Sequence, residues 1–245
     1  MSSMKNMQAK LTNRLFRKNS NFQRFFRRLR HPAWLGTLRR TTPLSSNWGR
    51  DRGTPVDRYY ISQFLATHQA DIRGRCLEIG DSRYMDLYGV NIAQRDILDI
   101  NLENTDATIT ADLTAADVIP PETYDCFILN QTLQYIFDIN AAIYHAHRIL
   151  RSSGVLLAVV PSVSRINPKF GVDGEYWRFT AGSCKKLFGK FFGLENIQVA
   201  SYGNLLTCIA FLVGMAKEEL REHELEFNDP NYPLILTIRA IKGTD

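Results

Sequence analysis

Gly154-Val155-Leu156-Leu157-Ala158-Val159-Val160 is an unbroken apolar run, without the polar alternation of a strand that has one wet face. A run of this kind suits a strand covered on both faces by helices, as in a parallel sheet. Upstream, residues 139–150 carry Ala142, His145, Ala146 and Ile149 on one stripe, the pattern of an amphipathic helix. Arg148 and Arg151 lie near its negative C-terminal end, and Ser153-Gly154 is expected to stop it. Earlier come four short apolar runs, at 76–79 (stopped by Gly80), 96–101, 108–112 and 124–129. Before them, a helical pattern covers 56 to about 70, with Ile61, Phe64 and Leu65. Downstream the sequence predicts a helix over 181–188, a strand over 197–201, a helix from 204 to about 224 and a strand over 234–242. Seven strands interleaved with helices predict an α/β fold, an open and mostly parallel sheet with helices on both faces. In such a sheet ligands sit at the carboxyl ends of the strands, here just after Ile79, Ile100, Thr110, Leu129 and Val160.

Charge divides the chain in two. Of 245 residues, 30 are Lys or Arg and 25 are Asp or Glu, yet no acidic residue precedes Asp51. The first 50 residues carry twelve basic side chains, and the remaining 195 hold 18 basic against 25 acidic ones. A basic arm is therefore joined to a mildly acidic body, which does not suit a nucleic-acid binder as a whole. Leu11, Leu15, Phe22, Phe25, Phe26 and Leu29 make residues 1–45 an amphipathic arm or helical cover, within which Pro32 is expected to end the helix or pair of helices. The expected organisation is arm 1–45 and a single body 46–245.

The composition, 44% hydrophobic and 22% charged, is that of a globular protein and excludes disorder of the whole chain. Cys76, Cys126, Cys184 and Cys208 are far apart, without a CxxC pair, so neither a zinc site nor a disulfide framework is expected. That suits a reducing cytosol. The longest apolar stretch, 205–216, is too short to span a bilayer.

The strand ends carry chemistry. Glu78-Ile79-Gly80-Asp81-Ser82 combines a glycine, which permits close backbone approach, with acceptors for an ammonium or hydroxyls. Asp99, 19 residues after Gly80, is placed to grip a ribose diol, with Asn101 as its neighbour; one of them could instead cap the turn. Asp112 next to Leu113 suits an adenine amino group beside an apolar cover, or else a helix cap. Asn130-Gln131-Thr132-Leu133-Gln134 places amides where an apolar strand emerges.

Together, Cys76-Leu-Glu-Ile-Gly80, Asp99, Thr110-Ala-Asp112-Leu113, Tyr124-Asp-Cys-Phe-Ile-Leu-Asn130 and Arg148-Ile-Leu-Arg-Ser-Ser-Gly154 resemble a class I S-adenosylmethionine-dependent methyltransferase. Residues 49–61, Gln131-Thr-Leu-Gln134, Tyr176-Trp-Arg-Phe-Thr180 and Asp229-Pro-Asn-Tyr-Pro233 resemble a methyltransferase type 11-like bacterial subgroup often met beside glycosyltransferases. The resemblance covers about 47–243. It implies a Rossmann-like seven-stranded sheet with an antiparallel last strand and S-adenosylmethionine as cofactor. It also implies Glu78, Gly80, Asp81 and Ser82 near the methionine part, Asp99 or Asn101 at the ribose, Asp112 and Leu113 at the adenine, and Asn130 with Gln131 at the sulfonium. One departure is that Ser82 and Tyr84 stand where the family has its second and third glycines. The cofactor's amino-acid end would then fall to Arg52, Arg58, Tyr59 or Tyr60.

Methyl transfer to a hydroxyl needs a general base, for which His145, His147, Asp173, Glu175 and Tyr176 are candidates. Residues 167–180 read as a lid with an aromatic wall, in which Tyr176 and Arg178 are the expected acceptor contacts. The expected activity is methylation of a hydroxyl or amine on a small molecule, a sugar or specialised metabolite, by a cytoplasmic enzyme that is peripheral at a membrane if the arm meets an anionic surface. The alternatives are a non-catalytic binding protein on this fold and an NAD-dependent oxidoreductase, which the missing glycines disfavour. Nucleic acid is disfavoured as acceptor because no Asn/Asp-Pro-Pro-Tyr/Phe motif occurs.

Overall fold

The computed structural model describes residues 22, 29 and 36–244. Contacts divide the chain into Met1–Thr42 and Pro43–Asp245. The expected amphipathic helix of the arm lies almost wholly outside the described residues.

In the second unit the elements are α1 (Val56–Thr67), β1 (Gly74–Ile79), α2 (Arg83–Tyr88), β2 (Ile92–Asp99), β3 (Ile109–Thr110) and β4 (Tyr124–Asn130). They continue with α3 (Ile139–Ile149), β5 (Leu150–Pro161), α4 (Ala181–Phe192), β6 (Ile197–Tyr202), α5 (Leu205–Val213), α6 (Glu222–Glu226) and β7 (Ile235–Ile241). The sheet order is β3-β2-β1-β4-β5-β7-β6. Strands β1 to β5 pair in parallel, and β7 inserts antiparallel to both β5 and β6. This is the Rossmann-like sheet with an antiparallel last strand that the sequence led us to expect.

The central strands are buried on both faces because two cores sandwich them. On one side α3 and α4 cover Leu77, Phe127, Leu129, Leu156 and Ala158. On the other, α1 and α5 cover Cys76, Cys126, Ile128, Leu157 and Val159. Each large side chain so buried contributes about 1.5–3 kcal/mol, and the β-branched residues of these runs favour the strand as well.

Two local expectations are corrected. The helix expected from 204 to about 224 is broken at Gly214, which takes a left-handed φ of 77° as the cap of α5; a 3-10 turn Lys217–Glu219 and the short α6 follow. Ser153-Gly154 does not merely end α3: β5 already starts at Leu150, and its register shifts between the pairs of Tyr124 and Cys126. Ser153 lies in this shifted stretch, at φ 64°. Between β1 and β2 the short connection holds only the six-residue α2.

Candidate functional site

At the carboxyl edge of β1, Gly80 turns at φ 82°, and a Cβ built there would meet nothing within 4 Å. The backbone thus faces open space, as close approach to a ligand requires. Asn104 fixes this edge: its Nδ2 donates to the Gly80 carbonyl at 2.8 Å and to Asp99 Oδ2 at 2.7 Å. Asp99 Oδ1 accepts from the Asn101 backbone, and Asn101 Oδ1 from Glu103, so Asn101 shapes the turn. The sequence reading missed Asn104; its only signal is an amide five residues beyond Asp99.

Glu78 points inward instead of toward a ligand. Its carboxylate accepts from the backbone N–H groups of Tyr84 and Met85 at 2.8 to 3.1 Å, filling the start of α2. Burial pushes its pKa up to about 7, against the pull of those two bonds. Asp81 and Ser82 serve the same turn, Asp81 Oδ1 accepting from the Arg83 backbone and Ser82 Oγ donating to Asp86. Asp112 caps the following 3-10 turn, its Oδ1 accepting from Thr114 N and Oγ1, and the Leu113 side chain is buried in the core.

Beyond β4 the backbone is unusual. Gln131 has φ 49°, a sparsely populated conformation for a non-glycine residue that clusters at functional sites. Gln134 locks it, Nε2 donating to the Gln131 carbonyl at 2.9 Å and to its Oε1 at 3.2 Å. Both residues line a cavity of about 160 Å3, together with Trp48, Asp57, Arg58, Tyr135, Val163, Asn167, Glu175 and Phe211. Among the described residues, Asp57 Oδ1 and Gln134 Oε1 on this wall, and Asn130 Oδ1 at the end of β4, are buried without a hydrogen-bond partner. Leaving a buried acceptor unmade costs about 1–3 kcal/mol, so such atoms mark a place for a donor.

The floor of the cavity comes from α1. Arg58 Nη1 donates to the Tyr84 hydroxyl at 2.6 Å. Burial works against its charge, but the neighbouring Asp57 and Tyr84 outweigh this and raise its pKa. Burial raises the Asp57 carboxyl, partly offset by Arg58 and Arg50. Asp57 was overlooked in the sequence, where an acid at the start of a helix reads as a partner of the helix dipole. The other candidates for the amino-acid end face elsewhere. Arg52 pairs with Glu219, the Tyr60 hydroxyl donates to the Leu225 carbonyl at 2.8 Å, and the Tyr59 hydroxyl accepts from Gln63.

The segment between β5 and α4 crosses the cavity and is pinned by Tyr176 N to the Gln134 carbonyl at 2.8 Å and Phe179 N to the Pro161 carbonyl at 2.9 Å. It contributes Asn167, whose Nδ2 donates to the Tyr135 hydroxyl at 3.1 Å, and Glu175, whose Oε2 accepts from Asn167 N at 3.3 Å and Arg178 Nη2 at 2.8 Å. Burial, and next Glu175, push the Tyr135 hydroxyl up in pKa, against the bond from Asn167. Tyr176 itself packs outward against Phe137, and Trp177 donates to the Ile136 carbonyl at 3.0 Å. Arg178 reaches the site only through Glu175. His145 is buried in α3 beside Arg148, which binds the Ala116 carbonyl; it does not line the cavity, and burial lowers its pKa. Thus the geometry joins Arg58, Gln131 and Glu175, and leaves His145, Tyr59, Leu113 and the Tyr176 ring away from them.

With this geometry, residues 73–158 match the family model described as a methyltransferase domain. Among solved structures, an S-adenosylmethionine-dependent methyltransferase from Archaeoglobus fulgidus is similar at 13% identity and a TM-score of 0.50, over 76% of this chain and 94% of its own. A putative sarcosine dimethylglycine methyltransferase from Galdieria sulphuraria is similar at 13% identity and 0.52, over 77% and 90%. Phosphoethanolamine N-methyltransferase 2 of Haemonchus contortus, in complex with S-adenosyl-L-methionine, is similar at 16% identity and 0.51, over 75% of this chain and 53% of that one. No curated protein matches the sequence. The fold is that of the class I methyltransferases, and the domain match and the fold together support S-adenosylmethionine as the cofactor.

Proposed function

We propose that the chain is a methyltransferase that moves a methyl group from S-adenosylmethionine to a hydroxyl or amine of a small molecule. The observation that carries this reading is the cavity at the carboxyl ends of β4 and β5, walled by Arg58 and Asp57 of α1 together with Gln134, Tyr135 and Glu175. The residues present fit the cofactor: open space over Gly80, an acid at the end of β2 and a buried, unpartnered Asn130 Oδ1 at the end of β4.

Asp99 takes the ribose, with Asn104 holding it in place, and Asp112 lies on the adenine side. The methionine zwitterion meets adjacent opposite charges, Arg58 for its carboxylate and Asp57 for its ammonium, in place of the two missing glycines. Bound there, S-adenosylmethionine supplies a sulfonium-activated methyl group. Asn130 and Gln131 line that side and help to exclude water. Across the cavity, Tyr135 and Asn167 orient the acceptor, and the Glu175 carboxylate, held by Arg178, receives the proton that the hydroxyl or amine gives up. Tyr176 and Arg178 act by positioning Gln134 and Glu175.

The motifs shared with the subgroup met beside glycosyltransferases support a sugar or specialised metabolite as acceptor, and cytosolic work. Calorimetric titration with S-adenosylhomocysteine and with NADH tests the reading. Binding of the first alone is expected; binding of NADH alone, or of neither, would overturn it in favour of an oxidoreductase or a non-catalytic binding protein. For the arm, we propose contact with an anionic surface, since eleven basic residues interleave with aromatic ones. Sedimentation with phosphatidylglycerol vesicles, absent with phosphatidylcholine and lost on deleting residues 1–42, is the expected result.

A further inference from the structure

Resting on that reading, we infer that the acceptor is an amphiphile: its polar head enters the cavity while an apolar tail lies in a groove along α5. The inner cavity holds about 160 Å3, below the roughly 300–1,000 Å3 of sites that enclose a whole drug-sized ligand. It must also admit the methionyl end of the cofactor, so it can take only the reacting part of an acceptor. The remainder has to emerge.

Next to the cavity, on the same carboxyl edge of the sheet, lies an open groove of about 520 Å3. Val163 walls both spaces. The groove runs between the start of α4 and the outward face of α5, and its rim is Leu205, Ile209, Leu212 and Tyr232. Helix α5 reads Leu-Leu-Thr-Cys-Ile-Ala-Phe-Leu-Val and carries no charge, although a surface helix normally turns charged side chains to water. Leu205 is 53% and Leu212 44% exposed, and Tyr232 nearly half. An apolar surface continuous with a polar cavity matches a ligand with the same division. The unpartnered Gln134 Oε1 then faces a donor of the head, and the leucines face the tail.

The test uses the full chain saturated with S-adenosylhomocysteine, titrated by calorimetry with n-alkyl β-D-glucosides and n-alkylamines from butyl to decyl, all below their micelle-forming concentrations. Burial of each methylene is expected to tighten binding about fourfold. In Leu212→Glu and Leu205→Glu this gradient flattens, while S-adenosylhomocysteine affinity and the unfolding temperature stay at wild-type values. Leu212→Gln serves if the charged variants do not fold. Three results would overturn the inference: no dependence on chain length, the same dependence in the variants, or a concentration-dependent dimer that Leu212→Glu dissociates, which would make the groove a subunit contact. Failure of S-adenosylhomocysteine to bind overturns the methyltransferase reading instead, and is measured separately.

Discussion

The Arg58 guanidinium and the Tyr84 hydroxyl are joined at 2.6 Å, tying the first turn of α1 to the first turn of α2. By the resemblance read from the sequence, Tyr84 takes the place of the third glycine of the methyltransferase loop, and its hydroxyl holds the half-buried Arg58 cation proposed for the methionine carboxylate. If Arg58 takes the carboxylate, Arg58→Ala lowers S-adenosylhomocysteine affinity about 10- to 100-fold, the range of a charge-assisted hydrogen bond. Tyr84→Phe, which only frees the guanidinium to wander, lowers it several-fold. Wild-type titration curves for Arg58→Ala would remove α1 from the cofactor site.

Glu78 gives a pH dependence with a definite sign. Its folded pKa of about 7 lies above the ordinary 4.5, because burial penalises the carboxylate more than the Tyr84 and Met85 amides repay. Between these values the folded chain holds a proton that the unfolded chain has released. Its contribution is therefore present below about pH 4.5 and lost as pH rises through 7, to the extent of about 3 kcal/mol. Gln at this position keeps a carbonyl to accept the two amides and does not titrate. Urea unfolding at pH 5 and pH 8 should show Glu78→Gln gaining on the wild type at the higher pH; equal differences at both would mean that the carboxylate is stabilised more than burial suggests.

The fold was legible because its signal is periodic: doubly buried strands such as 154–160 have no polar face to confuse the reading. The break at Gly214 was less visible, since the pattern resumes after it and only the left-handed cap shows that the chain turns. Candidate positions at strand ends were legible where the topology alone puts them, as with Gly80, Asp99 and Gln131. Those contributed from a distance were not. Asp57 and Trp48 meet Gln134 only through folding, and nothing in their local sequence separates a cavity wall from a helix start or a turn. Conversely, Glu78 and Leu113 look like ligand contacts in the sequence, yet their side chains are spent on α2 and the core.

Two left-handed glycines separate ligand space from packing. At Gly80 a methyl group would enter open space, so Gly80→Ala costs only the backbone strain, about 1–2 kcal/mol. It should weaken S-adenosylhomocysteine binding, because the added carbon stands where the ligand approaches. At Gly49 the methyl group would meet the Met215 carbonyl, so Gly49→Ala lowers the unfolding temperature further. Denaturant unfolding combined with titration separates the two; unchanged affinity in Gly80→Ala would move the ligand away from the β1 turn.

Glu175 and Arg178 are paired at 2.8 Å with very different exposure, the glutamate side chain 3% and the arginine 27%. Removing the arginine leaves an almost fully buried carboxylate without its charged partner, which is expected to cost about 3 kcal/mol. Removing both partners should cost less than the sum of the single changes, because neither charge is then stranded. The proton-accepting role separates from this structural one in Glu175→Gln. With a methylated acceptor in hand, that change should lower turnover 100-fold or more while S-adenosylhomocysteine affinity holds. An additive cycle in urea would mean that the pair is not coupled, and undiminished turnover would return the base to another wall of the cavity.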